Sequence, residues 1–336
     1  MSLNAAAAEY MPGDIDRGLA LLAEAKEIAT RLNDTWMLAD IVTTEGNAYT
    51  FRGEFRRALE SYEAAIPVHR AASKITGEAN ALSNLGEALT NIGEYKRALQ
   101  TFDSAIALWK KAGNRGREMY AVHNRARVYA AQGQRELARK EFDAVTRTMH
   151  EINVPEAEAS AWNEIGQTWV ADRQPQKAID CFHHAITLAE TGVSERVRGH
   201  AFLLRSRAQQ ALGRNDEAVQ DAEESLKLFQ RISDRNNELL AREAVARAEF
   251  ARGRLEAARD QMTTAMELIE TGRAELQRKG LQGSYVASRA SFTELYIQTL
   301  VATRRTSDAL TAAERFRARN LLDAVGDAGG DLLAAT

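Results

Sequence analysis

Apolar and small residues recur with helical spacing along most of the chain, and the clearest example lies between residues 79 and 108. One stripe with the i, i+3, i+4, i+7 spacing of a buried helix face consists of Leu82, Leu85, Gly86 and Leu89. After Gly93 a second stripe consists of Tyr95, Ala98, Phe102 and Ala105. Glycine adopts the left-handed backbone conformation that ends a helix at low cost. The pattern therefore predicts two antiparallel helices joined at Gly93.

The same hairpin pattern returns every 40 residues. The glycine ladder, with Arg173 in one glycine's place, consists of Gly13, Gly53, Gly93, Gly133, Gly213 and Gly253. An alanine ladder in the same register consists of Ala58, Ala98, Ala138, Ala178, Ala218 and Ala258. Because one unit is copied along the chain, we predict an all-α fold, a right-handed α-solenoid of roughly seven hairpins.

Three departures from the repeat carry information. Pro175 follows Arg173 and is predicted to start the next helix, because proline is well tolerated in a first helical turn. Arg125 and Arg205 stand where other copies have Leu or Ile, and we interpret both as extending their charged heads to solvent over apolar stems. Ala222 occupies a position that is aromatic in most copies.

The recurring pattern of a small residue in the first helix and alanine, aromatic and alanine in the second resembles the tetratricopeptide repeat. In the best copy these residues are Gly86, Ala98, Phe102 and Ala105. The resemblance implies a scaffold that binds a protein or peptide ligand and is not an enzyme.

The C-terminal part breaks the period, since Ala309 lies 51 residues after Ala258. We predict two long helices there, Leu255–Arg278 and Ser284–Thr303, joined around Gly280 and Gly283. The division predicted from these patterns is a partial repeat or cap at 1–34, repeats at 35–253, long hairpins at 254–326 and a flexible tail at 327–336.

This C-terminal segment resembles the last repeat before the caspase-like protease domain of bacterial proteins that combine tetratricopeptide repeats with a CHAT domain. The matching residues are Ile269, Glu270, Arg273, Tyr296, Ile297 and the run 314–323. The family's catalytic His and Cys belong to the following domain, so no residue here inherits those roles. The resemblance implies a sensor that regulates a linked protease, with Arg315, Arg317 and Arg319 as an effector-docking surface. A solvated helix end explains these three arginines equally well.

Composition and charge narrow the classes of function that remain. The formal charge of −3 with interleaved acids and bases gives no case for nucleic-acid binding. No apolar run predicts a membrane span, and the single cysteine, Cys181, suits a reducing cytoplasm. Cys181 and the neighbouring His183 and His184 share about one helical turn, which is a poor arrangement for catalysis or for surrounding a metal. We therefore expect no cofactor, no metal and no catalytic residue.

In a stack of hairpins the first helices line the concave face. The register predicts that a polar set points away from the partner helices into this groove and binds a protein or peptide. The predicted set consists of Thr43, Asn47, Phe51, Asn80, Ser83, Asn84, Glu87, Asn91, Tyr120, His123, Asn124, Arg127, Asn163, Gln167, Arg207 and Arg247.

Within this set the amides suit pairing with a peptide backbone, and Arg127, Arg207 and Arg247 suit acidic side chains of a ligand. An ordinary i,i+4 pair of Glu243 with Arg247 is the alternative for the last of these. Three further alternatives stay open for the whole chain: an effector-sensing module of a transcription activator or signalling ATPase, a simple assembly adaptor or homo-oligomer, and an enzyme if Cys181 or a histidine pair proves reactive.

Overall fold

The computed structural model describes residues 15–189, 194–278 and 290–318. Within these residues the regular secondary structure is helical throughout, and the predicted all-α class is confirmed. A further helical stretch covers 306–318. The helices are α1 (Ile15–Arg31), α2 (Thr35–Arg52), α3 (Phe55–Ala71), α4 (Ile75–Asn91), α5 (Tyr95–Lys111), α6 (Arg115–Ala131), α7 (Arg135–Glu151), α8 (Pro155–Ala171), α9 (Pro175–Ala189), α10 (Glu195–Ala211), α11 (Asn215–Arg231), α12 (Arg235–Ala251), α13 (Leu255–Arg278) and α14 (Ala290–Ala302).

Every described turn between the regular helices contains one residue in the left-handed conformation. Except across 190–193, which lie outside the described residues, these residues are spaced by 20, and they comprise Asn33, Gly53, Ser73, Gly93, Gly113, Gly133, Asn153, Arg173, Gly213, Ser233 and Gly253. The hydrogen bonds are alike at both kinds of turn: Glu94 N–H donates to the Leu89 carbonyl at 2.9 Å, and Val154 N–H to the Met149 carbonyl at 2.8 Å. Both bonds join residues five apart, as in a Schellman cap. The glycine ladder therefore marks only one of the two turns in each 40-residue unit.

The chain divides into two compact units, unit 1 (Met1–Thr168) and unit 2 (Trp169–Thr336). In unit 1 the helices α1 to α7 pack in chain order, and α2, α4 and α6 also contact one another. In unit 2 the helices α9 to α14 pack in order, and α10, α12 and α14 make the corresponding contacts. We call α2, α4, α6, α8, α10, α12 and α14 first helices. Contacts between successive first helices join α2 to α4 and α4 to α6 in unit 1, and α10 to α12 and α12 to α14 in unit 2, so these helices form the inner side of each unit.

The small residues of the first helices make room for the aromatic residues of the second helices. In unit 1 a Cβ atom on Gly86 would lie 2.7 Å from the Phe102 ring, and one on Gly46 would lie 2.5 Å from the Tyr62 ring. Both rings are fully buried. Contacts this close exclude even alanine unless the ring moves, so glycine sets the helix separation.

In unit 2 Ala222 stands at the position that is aromatic in most copies, and a buried aromatic residue of α11 lies one register further on, where His69 and Trp109 stand in other copies. Phe229 is fully buried, and a Cβ atom on Gly199 would lie 2.9 Å from its ring. The ring also meets the edge of His200, with a centroid distance of 5.3 Å. In the same unit α9 begins at Pro175, which confirms the predicted start of this helix.

The interpretation of Arg125 and Arg205 as solvent-seeking side chains is wrong. The Arg125 guanidinium donates two hydrogen bonds to Glu141, at 3.1 and 2.5 Å, and one to Asp103 at 2.5 Å. Arg205 donates two hydrogen bonds of 2.7 Å to Asp221. Only 21% and 17% of the two arginine side chains is exposed. Each arginine is therefore held by a bidentate ion pair between the two helices of its own hairpin.

In the C-terminal part, α13 has the predicted bounds Leu255–Arg278 and 24 residues. The helix predicted at Ser284–Thr303 is described from Ala290 to Ala302. The joint at Gly280 and Gly283, Gly13, and the predicted tail at 327–336 lie outside the described residues. In the part of the chain that the structure describes, no helix combines the length and apolar character needed to cross a bilayer.

Candidate functional site

A connected polar surface lies on the first helices of unit 1, and we call it the unit-1 face. All but Tyr120 of its residues occupy two registers that repeat every 40 residues on α2, α4, α6 and α8. The surface is built from Asn47, Asn84, Glu87, Tyr120, Asn124, Arg127 and Glu164. Glu164 was not in the predicted set, although it follows Asn84 and Asn124 in one register and this spacing could have identified it.

At one end of the unit-1 face an amide network joins α2, α3 and α4. Asn84 Nδ2 donates to Asn47 Oδ1 at 2.8 Å, and the Tyr62 hydroxyl donates to the same oxygen at 2.8 Å. The Tyr62 hydroxyl also lies 3.1 Å from Thr50 Oγ1. Burial raises the pKa of Tyr62, so its hydroxyl remains a donor at neutral pH. These bonds fix the Asn47 and Asn84 amides before any ligand arrives.

At the other end two carboxylates share one guanidinium. Arg127 Nε lies 3.8 Å from Glu164 Oε1, and Arg127 also attracts Glu87, which accepts a hydrogen bond from Tyr120. Burial raises the pKa of Glu87 and that of Glu164, and the charge of Arg127 offsets part of each rise. The pKa of neighbouring His123 is lowered to about 4, mainly by burial and further by Arg127, so this imidazole is neutral at pH 7. Counted formally, two carboxylates and one guanidinium leave the group with one negative charge in excess.

Asn124 lies beneath this charged group and is only 4% exposed. Its Oδ1 accepts a hydrogen bond from Arg127 Nη1 at 3.4 Å. Its buried Nδ2 has no acceptor at normal hydrogen-bond geometry among the described residues; the Tyr120 hydroxyl interacts with Asn124 but is too poorly placed to satisfy this donor. A buried amide donor without an acceptor is costly, and its cost falls when a ligand supplies an acceptor.

Four residues predicted to face the groove are buried in the structure, which corrects their predicted exposure: Thr43, Ser83, Asn124 and Asn163. Thr43 lies 3.4 Å from the buried His69 ring, and Ser83 accepts a hydrogen bond from Trp109 Nε1 at 3.1 Å. Both contacts come from the last turn of the second helix in the same hairpin. This turn covers part of the first helix that the periodicity had assigned to the surface.

The other predicted residues of unit 1 keep some exposure. Phe51 and Tyr120 are 66% and 43% exposed. Asn80 and His123 are half-buried, and the His123 ring meets the edge of Phe142. Asn91 and Gln167 are exposed, and Gln167 donates to Glu164 at 3.3 Å.

A cleft of about 390 Å³ opens near the N-terminal ends of α2, α4 and α6. Lys74 lies over the Trp36 ring with its Nζ 4.6 Å from the centroid. Burial raises the pKa of Asp40 in the same cleft. The lining residues are Trp36, Asp40, Lys74, Thr76, Gly77, Asn80, Trp109 and Arg117, of which only Asn80 was in the predicted set.

In unit 2 the first helices carry a charged group of the opposite sign. Glu243 is 9% exposed at its side chain and accepts hydrogen bonds of 2.8 and 3.2 Å from Arg247. Arg207 lies 3.8 Å from the same carboxylate. Burial lowers the pKa of Arg207, Glu243 raises it, and Arg247 lowers it again. Two guanidiniums thus share one carboxylate, and the i,i+4 pair of Glu243 with Arg247 is present as the sequence alternative expected.

The predicted docking arginines are described only in part. Arg315 and Arg317 are exposed on the helical stretch 306–318, and Arg319 lies outside the described residues. Cys181 is buried on α9. Within the described residues no group of three or more His, Cys, Asp or Glu side chains has the geometry to hold a metal ion.

Comparison with protein families places a tetratricopeptide repeat at residues 77–147. This segment covers α4 apart from its first two residues, all of α5 and α6, and most of α7, which includes the part of the unit-1 face between Asn84 and Arg127. The matching family describes a repeat and not an enzyme family. No curated protein matches the chain.

Three solved structures similar to this chain have helical-repeat folds at low sequence identity. BtubC from P. vanneervenii is 15% identical with a TM-score of 0.56, over 65% of this chain and 92% of its own. A Rap protein complexed with competence and sporulation factor is 13% identical with a TM-score of 0.60, over 91% and 81%.

The third is a signal-transduction ATPase of the STAND class with a tetratricopeptide repeat sensor, from Pyrococcus horikoshii. It is 14% identical with a TM-score of 0.65, over 92% of this chain and 44% of its own. At such identities these likenesses establish the fold. The chain therefore has a tetratricopeptide-like helical-repeat fold, of a type that serves as a protein-interaction scaffold.

Proposed function

We propose that this protein is a non-catalytic interaction scaffold that binds an extended segment of peptide or protein on the unit-1 face. The amide network of Asn47, Asn84 and Tyr62 is the observation that carries this proposal. Asn84 keeps an acceptor oxygen and Asn47 keeps donor hydrogens beyond the bonds within the network. Amides held in place in this way can pair with the N–H and C=O groups of a bound chain without further ordering cost.

The proposal extends to signalling. Binding on the unit-1 face regulates a linked or partner effector, and the resemblance at 254–326 makes a CHAT-type protease the proposed effector. Arg315 and Arg317, exposed on one helical stretch, are proposed to dock it. An effector-sensing module is the second candidate, and the fold likeness to a STAND protein with a repeat sensor favours it.

Selection from a displayed random peptide library on the full chain tests the binding function. Asn84→Ala is expected to lower the affinity for the selected peptides about 3- to 10-fold, because one or two hydrogen bonds are lost. Gln100→Ala, at an exposed position on the second helix α5, is the matched control and should leave the affinity unchanged. Equal affinities for both variants, measured by fluorescence anisotropy with unchanged helicity, would place the ligand elsewhere.

A further inference from the structure

At one end of the unit-1 face two carboxylates lie near a single guanidinium, and this imbalance bears on the charge that a ligand should carry. Glu87 and Glu164 come from α4 and α8, and Arg127 on α6 is the guanidinium that acts on both. Arg117 lies ten residues earlier on α6, roughly 15 Å along the helix axis, and influences Tyr120 but neither carboxylate. The sequence interpretation that Arg127 meets acidic ligand groups does not fit this arrangement, because its charge is already matched within the protein.

The carboxylates are also poorly solvated. The Glu164 side chain is 28% exposed, and Glu87 is half-buried. Burial raises the pKa of both groups, which means that their ionised forms lack part of the stabilisation they have in water. A ligand cation would supply the missing favourable interaction to both carboxylates at once.

Asn124 adds an independent observation at the same place. Its buried Nδ2 has only the poorly placed Tyr120 hydroxyl near it and no acceptor at normal hydrogen-bond geometry among the described residues, while its Oδ1 accepts from Arg127. A carbonyl oxygen satisfies an amide donor, and a peptide brings carbonyl oxygens at every residue. The chemistry that completes the site is therefore a backbone carbonyl next to a cationic side chain.

We propose that the unit-1 face recognises a peptide segment through a lysine or arginine side chain placed between Glu87 and Glu164, with a neighbouring backbone carbonyl on Asn124 Nδ2. This inference rests on the proposed function and adds the charge of the ligand to it. The charged group in unit 2 has the opposite sign, because two guanidiniums share Glu243, so we do not expect it to bind a cationic side chain.

The test uses the full chain and a random peptide library, read out as the residues enriched among selected peptides. Selected peptides are expected to share a lysine or arginine, and replacing that lysine by acetyl-lysine should weaken binding about tenfold or more. Glu87→Gln and Glu164→Gln should each reduce the preference for lysine over acetyl-lysine. Glu60→Gln, at an exposed position on the second helix α3, is the matched control and should keep this preference.

A third variant separates the proposal from a loss of folding. Arg127→Gln removes the competing cation, so lysine-containing peptides should bind more tightly, about threefold or more. Weaker binding by Arg127→Gln, or enrichment of acidic peptides by the wild-type chain, overturns the cation proposal and leaves peptide binding standing. A library that yields no binder on the unit-1 face overturns the proposed function itself.

Discussion

At the scale of single residues, two ion pairs formed by arginines show most clearly what comparison with the repeat alone did not predict. Arg125 with Glu141 and Arg205 with Asp221 are both spaced by 16 residues, across the turn between two helices of one hairpin. Another copy has Leu85 and Thr101 at these positions. The sequence contained the acidic partners, but an interpretation of each arginine by itself predicted solvent exposure. Two helix positions that face each other must be considered together.

The Arg205–Asp221 pair gives the first prediction of stability. Arg205→Leu alone should lower the free energy of unfolding by about 3 kcal/mol, because it leaves the Asp221 carboxylate, 8% exposed, without its partner. The double change of Arg205→Leu with Asp221→Thr restores the chemistry of Leu85 and Thr101 and should cost less than the single change. Urea unfolding followed by circular dichroism measures both. A double variant that is less stable than Arg205→Leu would contradict the pairing.

At the scale of elements, helix length and hairpin order were predictable, but glycine by itself marks only one of the two kinds of turn. The glycine ladder revealed the turn after each first helix. Each described turn after a second helix also contains one left-handed residue, and these residues are Asn33, Ser73, Gly113, Asn153 and Ser233. Asparagine reaches this conformation more easily than most residues. Residue identity therefore varies at these turns while the backbone is constant, and a search for glycine alone misses them.

Gly133→Ala tests what a turn residue contributes to a hairpin. Gly133 has φ of +76° and no atom within 4 Å of an added Cβ, so only backbone strain acts against alanine. The expected loss is about 1 kcal/mol of unfolding free energy. Gly116→Ala is the control within α6, where the nearest atoms lie 3.8 Å from the added Cβ and helix propensity favours alanine. Thermal unfolding should rank the Gly116 variant above the wild type and the Gly133 variant below it.

At the scale of the whole molecule, the repeat predicted the class of fold and most of the inner side, but not which inner positions are covered. Ser83 and Thr43 were placed on the surface by periodicity, and Trp109 and His69 bury them. Helical periodicity describes one helix at a time, whereas burial on the inner side depends on side chains from the adjoining second helix. For the same reason the electrostatic environment of Glu164 depends on Arg127, which lies on another first helix.

Because the helices of this array contact mainly their neighbours, a destabilising substitution should lower stability mainly in the adjacent helices. Ala98 on α5 is fully buried, and Ala98→Trp overpacks the contact of α4, α5 and α6 at a cost on the order of 1–3 kcal/mol. Amide hydrogen exchange should then accelerate in these three helices and change little in α1, since the stability of a repeat array is approximately a sum of neighbour terms. Gln100→Trp, at an exposed position of the same helix, should leave all rates unchanged. Equal acceleration from α1 to α7 would mean that unit 1 unfolds as one cooperative body and not hairpin by hairpin.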